Sequence, residues 1–304
     1  MTRHFLNLAD LGPDTLIRVL DLADRLQAER GHHEKPLLGK QVALVFEKAS
    51  TRTRLSLEVA VSELGGHAIV LSSQGSQIAR GEPMKDTARV LTRMVHAITL
   101  RTHAESRIRE LVDNVTVPVL NALTDESHPM QLLADLQTVR AHFGRLQGLV
   151  FAWLGDGNNM AASWIEAAGL LGLELRLACP EGYEPKAHWL EEARARGAHV
   201  TVLRSPQEAV RGAHVVSTDV FTSMGQEEES AARIQAFSGY LLDQKLLDQA
   251  DPQAVVLHCL PAHRGEEIAE EVLEGPQSIV WAQAEARLHT AKAVLLWALG
   301  HLEP

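Results

Sequence analysis

Between positions 46 and 54 the chain reads FEKASTRTR, so Ser50, Thr51, Arg52, Thr53 and Arg54 place three hydroxyls and two guanidinium groups side by side. An apolar run, Gln41 to Phe46, ends just before them. Helix-forming residues follow to Leu64, where Gly65-Gly66 reads as a stop. Ser50 is the expected N-cap. Arg52 and Arg54 then fall in the first helical turn, where the macrodipole disfavours cations by a few tenths of a kcal/mol each, about the lower end of its usual effect. An oxyanion resolves that conflict. First-turn amides, hydroxyls and planar guanidinium forks together suit a phosphate. The competing reading, a solvated basic turn with surface ion pairs, stays open on this segment alone.

Other reactive side chains also stand where apolar runs end. In the first half these are Arg101 after HAITL, and His128 and Gln131 in HPMQ. In the second half they are Asn158 and Asn159 after FAWLGDG, Asp219 after HVVST, and Cys259 in VVLHCLP. GDGNNM resembles a dinucleotide-binding turn, but Met160 stands where the third glycine of G-x-G-x-x-G belongs, which argues against a nicotinamide site. Paired Asn amides suit a carboxylate or an amine better. Cys259 is either an inert core thiol or a weakly polar contact for an amine. His258 is expected on the opposite face of the strand, so a Cys–His nucleophile is not the expected chemistry. The histidines outside HPMQ and HCLP suggest no metal site, and the acidic run after Ser223 reads as a solvated helix start.

The elements that must carry these residues alternate between strand-like and helix-like patterns, the mark of parallel α/β architecture. Strands are expected at Gln41 to Phe46, His67 to Leu71, His96 to Leu100 and Val117 to Leu120. In the second half they are expected at Leu149 to Leu154, Glu174 to Ala178, His199 to Leu203, His214 to Thr218, Ala254 to His258 and Ser278 to Trp281. A helix over Gln131 to Phe143 bridges two lobes, and Ala284 to Leu299 reads as an amphipathic helix. Ligands of such sheets bind at the carboxyl ends of strands. Length supports two domains, since 304 residues is about twice a typical domain. A net charge of −10 and a pI near 5.8 argue against a nucleic-acid binder. Two cysteines 80 positions apart indicate no disulfide framework and fit a reducing cytoplasm. The N-terminal stretch lacks a signal-peptide core, and no run is long enough to span a membrane.

Seven segments together carry a family likeness: FEKASTRTR, GSQIARGEPMKDTARVL, HPMQLLADL, GDGNNM, DVFTSMGQEEE, HCLPAHRGEE and AEARLHTAKAVL. In that order, from about Phe5 to the C-terminus, the chain resembles the aspartate/ornithine carbamoyltransferase family. The resemblance implies two doubly wound parallel-sheet domains joined by helices. The expected boundaries are 1–140 for carbamoyl phosphate and 141–304 for the amino acid, with a C-terminal helix at about 284–302 returning to the first domain. It implies that Ser50, Thr51, Arg52, Thr53, Arg101 and Arg287 hold the phosphate and that His128 polarises the carbonyl. Gln131 would bind the carbamoyl amide, and Gln77 would reach a neighbouring subunit's site in a homotrimer or a multiple of trimers. For the amino acid it implies Asp219 on the α-amine, Asn159 and the backbone at Met224 on the carboxylate, with Ser223 beside them. Cys259 and the Leu260 carbonyl would lie at the reacting amine.

Among family substrates, DVFTSMG and HCLPA favour ornithine over putrescine, acylated ornithine or aspartate, the last of which would call for cations on the second lobe. The implied reaction needs no metal or organic cofactor, and its catalytic groups are Arg101, His128, Cys259 and Thr53. Closure of the two lobes would supply proximity and exclude water. Two departures stand out: Ala286 where the family has Asn before Arg287, and Phe221 where Trp is common. A non-catalytic binding protein and a dinucleotide-dependent oxidoreductase are the readings from other classes.

Overall fold

The computed structural model describes residues 2–72, 77–222 and 229–302. The chain divides into two compact units, one formed by Met1–Gln137 with Glu285–Pro304 and the other by Thr138–Ala284.

The first unit is built on a parallel sheet of β1 (Gln41–Phe46), β2 (His67–Ser72), β3 (Ala97–Arg101) and β4 (Val119–Leu123) in the order β2-β1-β3-β4. Its helices are α1 (Gly12–Ala28), α2 (Arg52–Glu63), α3 (Met84–Leu91) and α4 (Glu105–Val112), and α5 (Pro129–Phe143) leads out of it. A core of Ala43, Val45, Ile98, Leu100 and Val119 from the strands packs with Met84, Ala88, Ile108 and Leu111 from the helices. β4 starts two residues later than the expected Val117 and runs on to Leu123. The pattern stops at Leu120 because Asn121 is polar. In the fold Asn121 is fully buried, and its amide donates to the Leu6 carbonyl at 2.9 Å and to Ser127 Oγ at 3.0 Å.

The second unit carries β5 (Val150–Leu154), β6 (Glu174–Ala178), β7 (His199–Leu203), β8 (Val215–Thr218) and β9 (Val255–His258), all parallel, in the order β7-β6-β5-β8-β9. Around it lie α6 (Asn159–Leu171), α7 (Ala187–Ala195), α8 (Pro206–Val210), α9 (Ser230–Ala236), α10 (Gln244–Leu247) and α11 (Glu270–Leu273).

The last helix, α12 (Val280–Ala298), begins in the second unit and ends in the first. It overturns two expectations. Ser278 to Trp281 is not a strand: Ser278 makes one isolated bridge to Val256, and Val280 already opens the helix. Nor is the helix amphipathic, because residues 286–298 are buried on every face. Its buried Lys292 finds a partner inside: the ammonium donates to Glu63 at 2.8 Å. Among the described residues no helix is long and apolar enough to cross a membrane.

Candidate active site

Each sheet has one place where the chain changes direction of winding. In the first unit it lies between β1 and β3, which pair in parallel up to Phe46 and Arg101. In the second it lies between β5 and β8, which pair up to Leu154 and Thr218. Crossovers leave these points in opposite directions, so a crevice opens beyond the strand ends. The strand-end residues gather at these two points.

At the first, the chain leaving β1 is anchored by Glu47 and Lys48. Arg107 Nε lies 3.0 and 2.9 Å from the two Glu47 carboxylate oxygens, Thr102 also donates to Glu47, and Lys48 pairs with Asp125. Thr51, not Ser50, is the N-cap of α2, and its side chain makes no capping bond. The loop is held from outside the helix, so the cap expected of Ser50 is not formed. Sequence reading missed Glu47 and Lys48 as positioning groups, although both lie inside the FEKASTRTR motif.

Thr53 is the junction of this site. It is 2% exposed, and its Oγ1 accepts from Arg101 Nη1 at 3.3 Å and Arg287 Nη2 at 2.5 Å. Two donors use both lone pairs of a hydroxyl, so its own proton is the part available to a ligand oxygen. His128 is buried nearby at the start of α5. Burial first, then the guanidinium groups of Arg287, Arg101 and Arg52, push its imidazole well below its ordinary value. It is therefore a neutral ring among cations at neutral pH. Gln131 donates its amide nitrogen to Asp135 at 2.8 Å, and its Oε1, 1% exposed with the residue, accepts no hydrogen bond among the described residues. That oxygen suits an incoming N–H. Asn121, through Ser127, braces the turn into His128; the signal was a polar residue inside the apolar run VLNAL.

Not every first-unit candidate joins this cluster. Arg54 is exposed and pairs with Glu58 at 2.6 Å, so of the two first-turn arginines only Arg52 acts on His128. Gln77 stands exposed at the start of a 3-10 turn, Gln77–Arg80. Ala286 is buried, and Arg287 reaches Thr53 without an Asn at that position.

At the second switch point Asp219 is the centre. Thr218 pairs with both Leu154 and His258, so Asp219 and Cys259 leave adjacent strands from the same level. Asp219 Oδ1 accepts from the Val220 amide at 2.8 Å and the Cys259 thiol at 3.1 Å, while Oδ2 accepts from Asn158 Nδ2 at 3.3 Å. Asn158 caps α6 with its other atom, Oδ1, accepting from the Met160 and Ala161 amides. Asn159 is the first helical residue and half-buried. Ser223 and Met224 lie outside the described residues.

Cys259 is no inert core thiol; that description fits Cys179, which is fully buried with a thiol pushed up to about 12 by burial. His258 does not lie across the strand from Cys259 as expected. The strand ends at His258, Leu260 turns at φ 59°, and the ligand atoms of His258, Cys259 and Asp219 fall within 4.8 Å of one another. Even so, His258 is no base for the thiol. Its Nδ1 accepts from the Leu260 amide at 2.9 Å, which leaves Nε2 to donate to Glu267 at 3.1 Å. Both ring nitrogens are committed, so His258 is not offered to a metal either. His263, Glu266 and Glu267 also bring ligand atoms within 4.8 Å, a grouping the sequence reading did not anticipate. Glu267 is already engaged by His258 and by the His263 amide.

The glycines of GDGNNM serve packing. A Cβ on Gly157 would lie 2.2 Å from Pro185 N, and the Gly157 amide donates to the Tyr183 carbonyl at 2.8 Å. The Gly155 amide donates to the Ala178 carbonyl at 3.0 Å. Amides that a dinucleotide turn would aim at a pyrophosphate are already used.

Family comparison agrees with this division of chemistry. Residues 3–141 match the carbamoyl-P binding domain of aspartate/ornithine carbamoyltransferases, and residues 147–298 match their Asp/Orn binding domain. The chain belongs to the aspartate/ornithine carbamoyltransferase family. It is 51% identical to an ornithine carbamoyltransferase of Pelobacter propionicus, covering 99% of each chain. It is 50% identical to the anabolic ornithine carbamoyltransferase of Pseudomonas aeruginosa, covering 98% of each. Among solved structures, the Thermus thermophilus ornithine carbamoyltransferase superposes with a TM-score of 0.90 at 44% identity, over 98% of this chain and 99% of that one. The Pyrococcus furiosus ornithine carbamoyltransferase superposes with a TM-score of 0.93 at 41% identity, over 99% and 98%.

Proposed function

We propose that this protein transfers the carbamoyl group of carbamoyl phosphate to the δ-amine of L-ornithine, giving L-citrulline and phosphate, as a step of arginine biosynthesis. The observation that carries this reading is the Thr53 node: one buried hydroxyl accepting from Arg101 and Arg287, beside a neutral His128. Ser50, Thr51, Arg52, Thr53, Arg101 and Arg287 hold the phosphate. His128, as a neutral donor, polarises the carbamoyl carbonyl together with Thr53 and Arg101. Such preorganised donors are worth about 2.7–4 kcal/mol each where measured. Gln131 Oε1 accepts from the carbamoyl amide, because its nitrogen is committed to Asp135. Asp219 pairs with the α-ammonium, Asn159 and the segment at Ser223 and Met224 take the carboxylate, and Cys259 with the Leu260 carbonyl flanks the δ-amine.

The neutral amine attacks the carbamoyl carbon, the carbonyl electrons move to oxygen, and their return expels phosphate as the C–O bond breaks. The amine's proton leaves with the product phosphate or to water. Names of relatives at about 50% identity over nearly the whole chain support ornithine as the acceptor.

The domain division is 1–140 for carbamoyl phosphate and 141–304 for ornithine, with α12 completing the first. The enzyme works in the cytoplasm as a homotrimer or a multiple of trimers, with Gln77 entering the neighbouring subunit's site. Sedimentation equilibrium tests the assembly; a monomer at micromolar concentration refutes it.

The decisive assay is citrulline formation from carbamoyl phosphate and ornithine, run beside putrescine, aspartate and N-acetylornithine. Preference for ornithine supports the reading. Preference for another amine overturns the roles given to Asp219 and Ser223, and no turnover with any amine overturns the whole.

A further inference from the structure

Arg233 lies on α9, outside every group assigned above, and is 4% exposed. Its Nε donates to the Phe221 carbonyl at 2.5 Å, and its Nη2 pairs with Asp156. Its guanidinium carbon lies 4.8 Å from the Tyr183 ring centroid and 5.6 Å from that of Phe237. A buried guanidinium this fully engaged is rigid, because its planar fork matches two acceptors in fixed directions.

Its Nη1 also lies 3.8 Å from the exposed Glu229 carboxylate, one turn away on the same segment, but its two hydrogen-bond acceptors belong to the two turns of the second switch point. Phe221 is two residues beyond Asp219, and Asp156 is two residues before Asn158. Those turns meet at the bond from Asn158 Nδ2 to Asp219 Oδ2, which the Cys259 thiol extends through Oδ1. The Asp156 turn is held from its other side as well. Trp153 Nε1 donates to the Asp156 carbonyl at 2.9 Å, and Gly157 packs on Glu184 and Pro185.

We infer that Arg233 is the positioning residue of the amino-acid site, tying the turn after β5 to the segment after β8 so that Asn158, Asp219 and Cys259 stay in hydrogen-bonding register. The inference rests on the ornithine reading above. It gives the Asp of GDGNNM a role that neither substrate contact nor capping supplies. It also accounts for a charged residue in this core. Burial raises the Asp156 carboxyl above its ordinary range and the Asp219 charge adds to the rise, while Arg233 first and the Gly157 amide after it oppose it. Without the guanidinium, Asp156 takes up a proton at a higher pH and the turn loses its tie.

The test is steady-state kinetics of R233Q, R233K and D156N beside the wild type, with both substrates varied and kcat/KM for ornithine followed from pH 5.5 to 9. Displacements of about 1 Å around a reacting group cost on the order of a hundredfold. In R233Q, KM for ornithine is expected to rise at least about tenfold, while KM for carbamoyl phosphate stays within about twofold, because that site lies in the first unit. D156N is expected to shift in the same direction. R233K keeps the charge but cannot reach both acceptors, so it falls between, and R233Q/D156N is no worse than R233Q alone. The acid limb of the ornithine profile is expected to move to higher pH in R233Q.

Equal changes in both KM values, or unchanged kinetics with only a lower melting temperature, overturn the positioning role. If R233Q does not fold, the R233K and D156N values decide by the same criteria. Failure of the wild type to make citrulline overturns the ornithine reading instead, so the two failures are distinguishable.

Discussion

His128 gives the sharpest test of the first-unit site. Its imidazole is buried beside Arg52, Arg101 and Arg287, and its folded-state affinity for protons is well below the ordinary value of 6.5. In the unfolded chain it titrates near about 6.5. Between those two values the unfolded state binds one more proton than the folded state, so stability falls as pH falls. The slope for one group is about 1.4 kcal/mol per pH unit. The loss between pH 8 and 5.5 from this residue alone therefore has a ceiling of about 1.4 kcal/mol, set by its unfolded value.

Other histidines add to the total: burial also lowers His4 and His289. A difference measurement therefore isolates the effect. Urea unfolding of the wild type and H128Q at pH 8 and 5.5 is expected to show the wild type losing more stability than the variant, by up to about 1.4 kcal/mol. An equal loss in both proteins refutes the reasoning, since it would mean that His128 binds its proton equally well folded and unfolded. The functional corollary is that kcat/KM for carbamoyl phosphate shows no ionisation from His128 between pH 6.5 and 8.

Removing the Thr53 hydroxyl in T53V leaves two buried guanidinium groups without their shared acceptor and takes away the proposed oxyanion donor; kcat is expected to fall about 10²–10³-fold in the citrulline assay. D219N removes the charge proposed to face the α-ammonium while keeping an acceptor for Cys259. A hydrogen bond to a charged group contributes about 1.5–3 kcal/mol, so KM for ornithine is expected to rise about tenfold to a hundredfold with KM for carbamoyl phosphate unchanged. Because the attacking δ-amine must be neutral, kcat/KM for ornithine rises from pH 7 to 9; a flat or falling profile refutes amine attack as written.

Much of the strand set was legible because parallel strands buried on both faces are short apolar runs closed by turn residues. Gln41–Phe46 and Glu174–Ala178 are found where the pattern places them, and so is the edge strand His199–Leu203, whose His199 and Thr201 are exposed. The misses have local causes. Ser278 to Trp281 carries the apolar run of a strand, yet it lies where Val280 begins a helix, a distinction periodicity does not make over four residues. Asn121 hid the second half of β4, since a buried amide looks like a loop residue until its partners Leu6 and Ser127 are known. The substitution of Phe221 for Trp is accommodated by stacking on Phe237, with ring centroids 4.6 Å apart.

By itself the sequence determines that this chain forms parallel α/β units and which polar residues end their strands, because both are encoded by apolar runs and turns within a few residues of each other. Only the tertiary structure decides which strand ends are neighbours. The order β2-β1-β3-β4 brings Arg101 beside the start of α2, and the returning α12 brings Arg287 to Thr53 across 234 positions of chain. The order β7-β6-β5-β8-β9 likewise sets Asn158, Asp219 and Cys259 into one hydrogen-bonded series. Strand order and register arise from long-range pairing and packing, and no periodicity along the chain carries them.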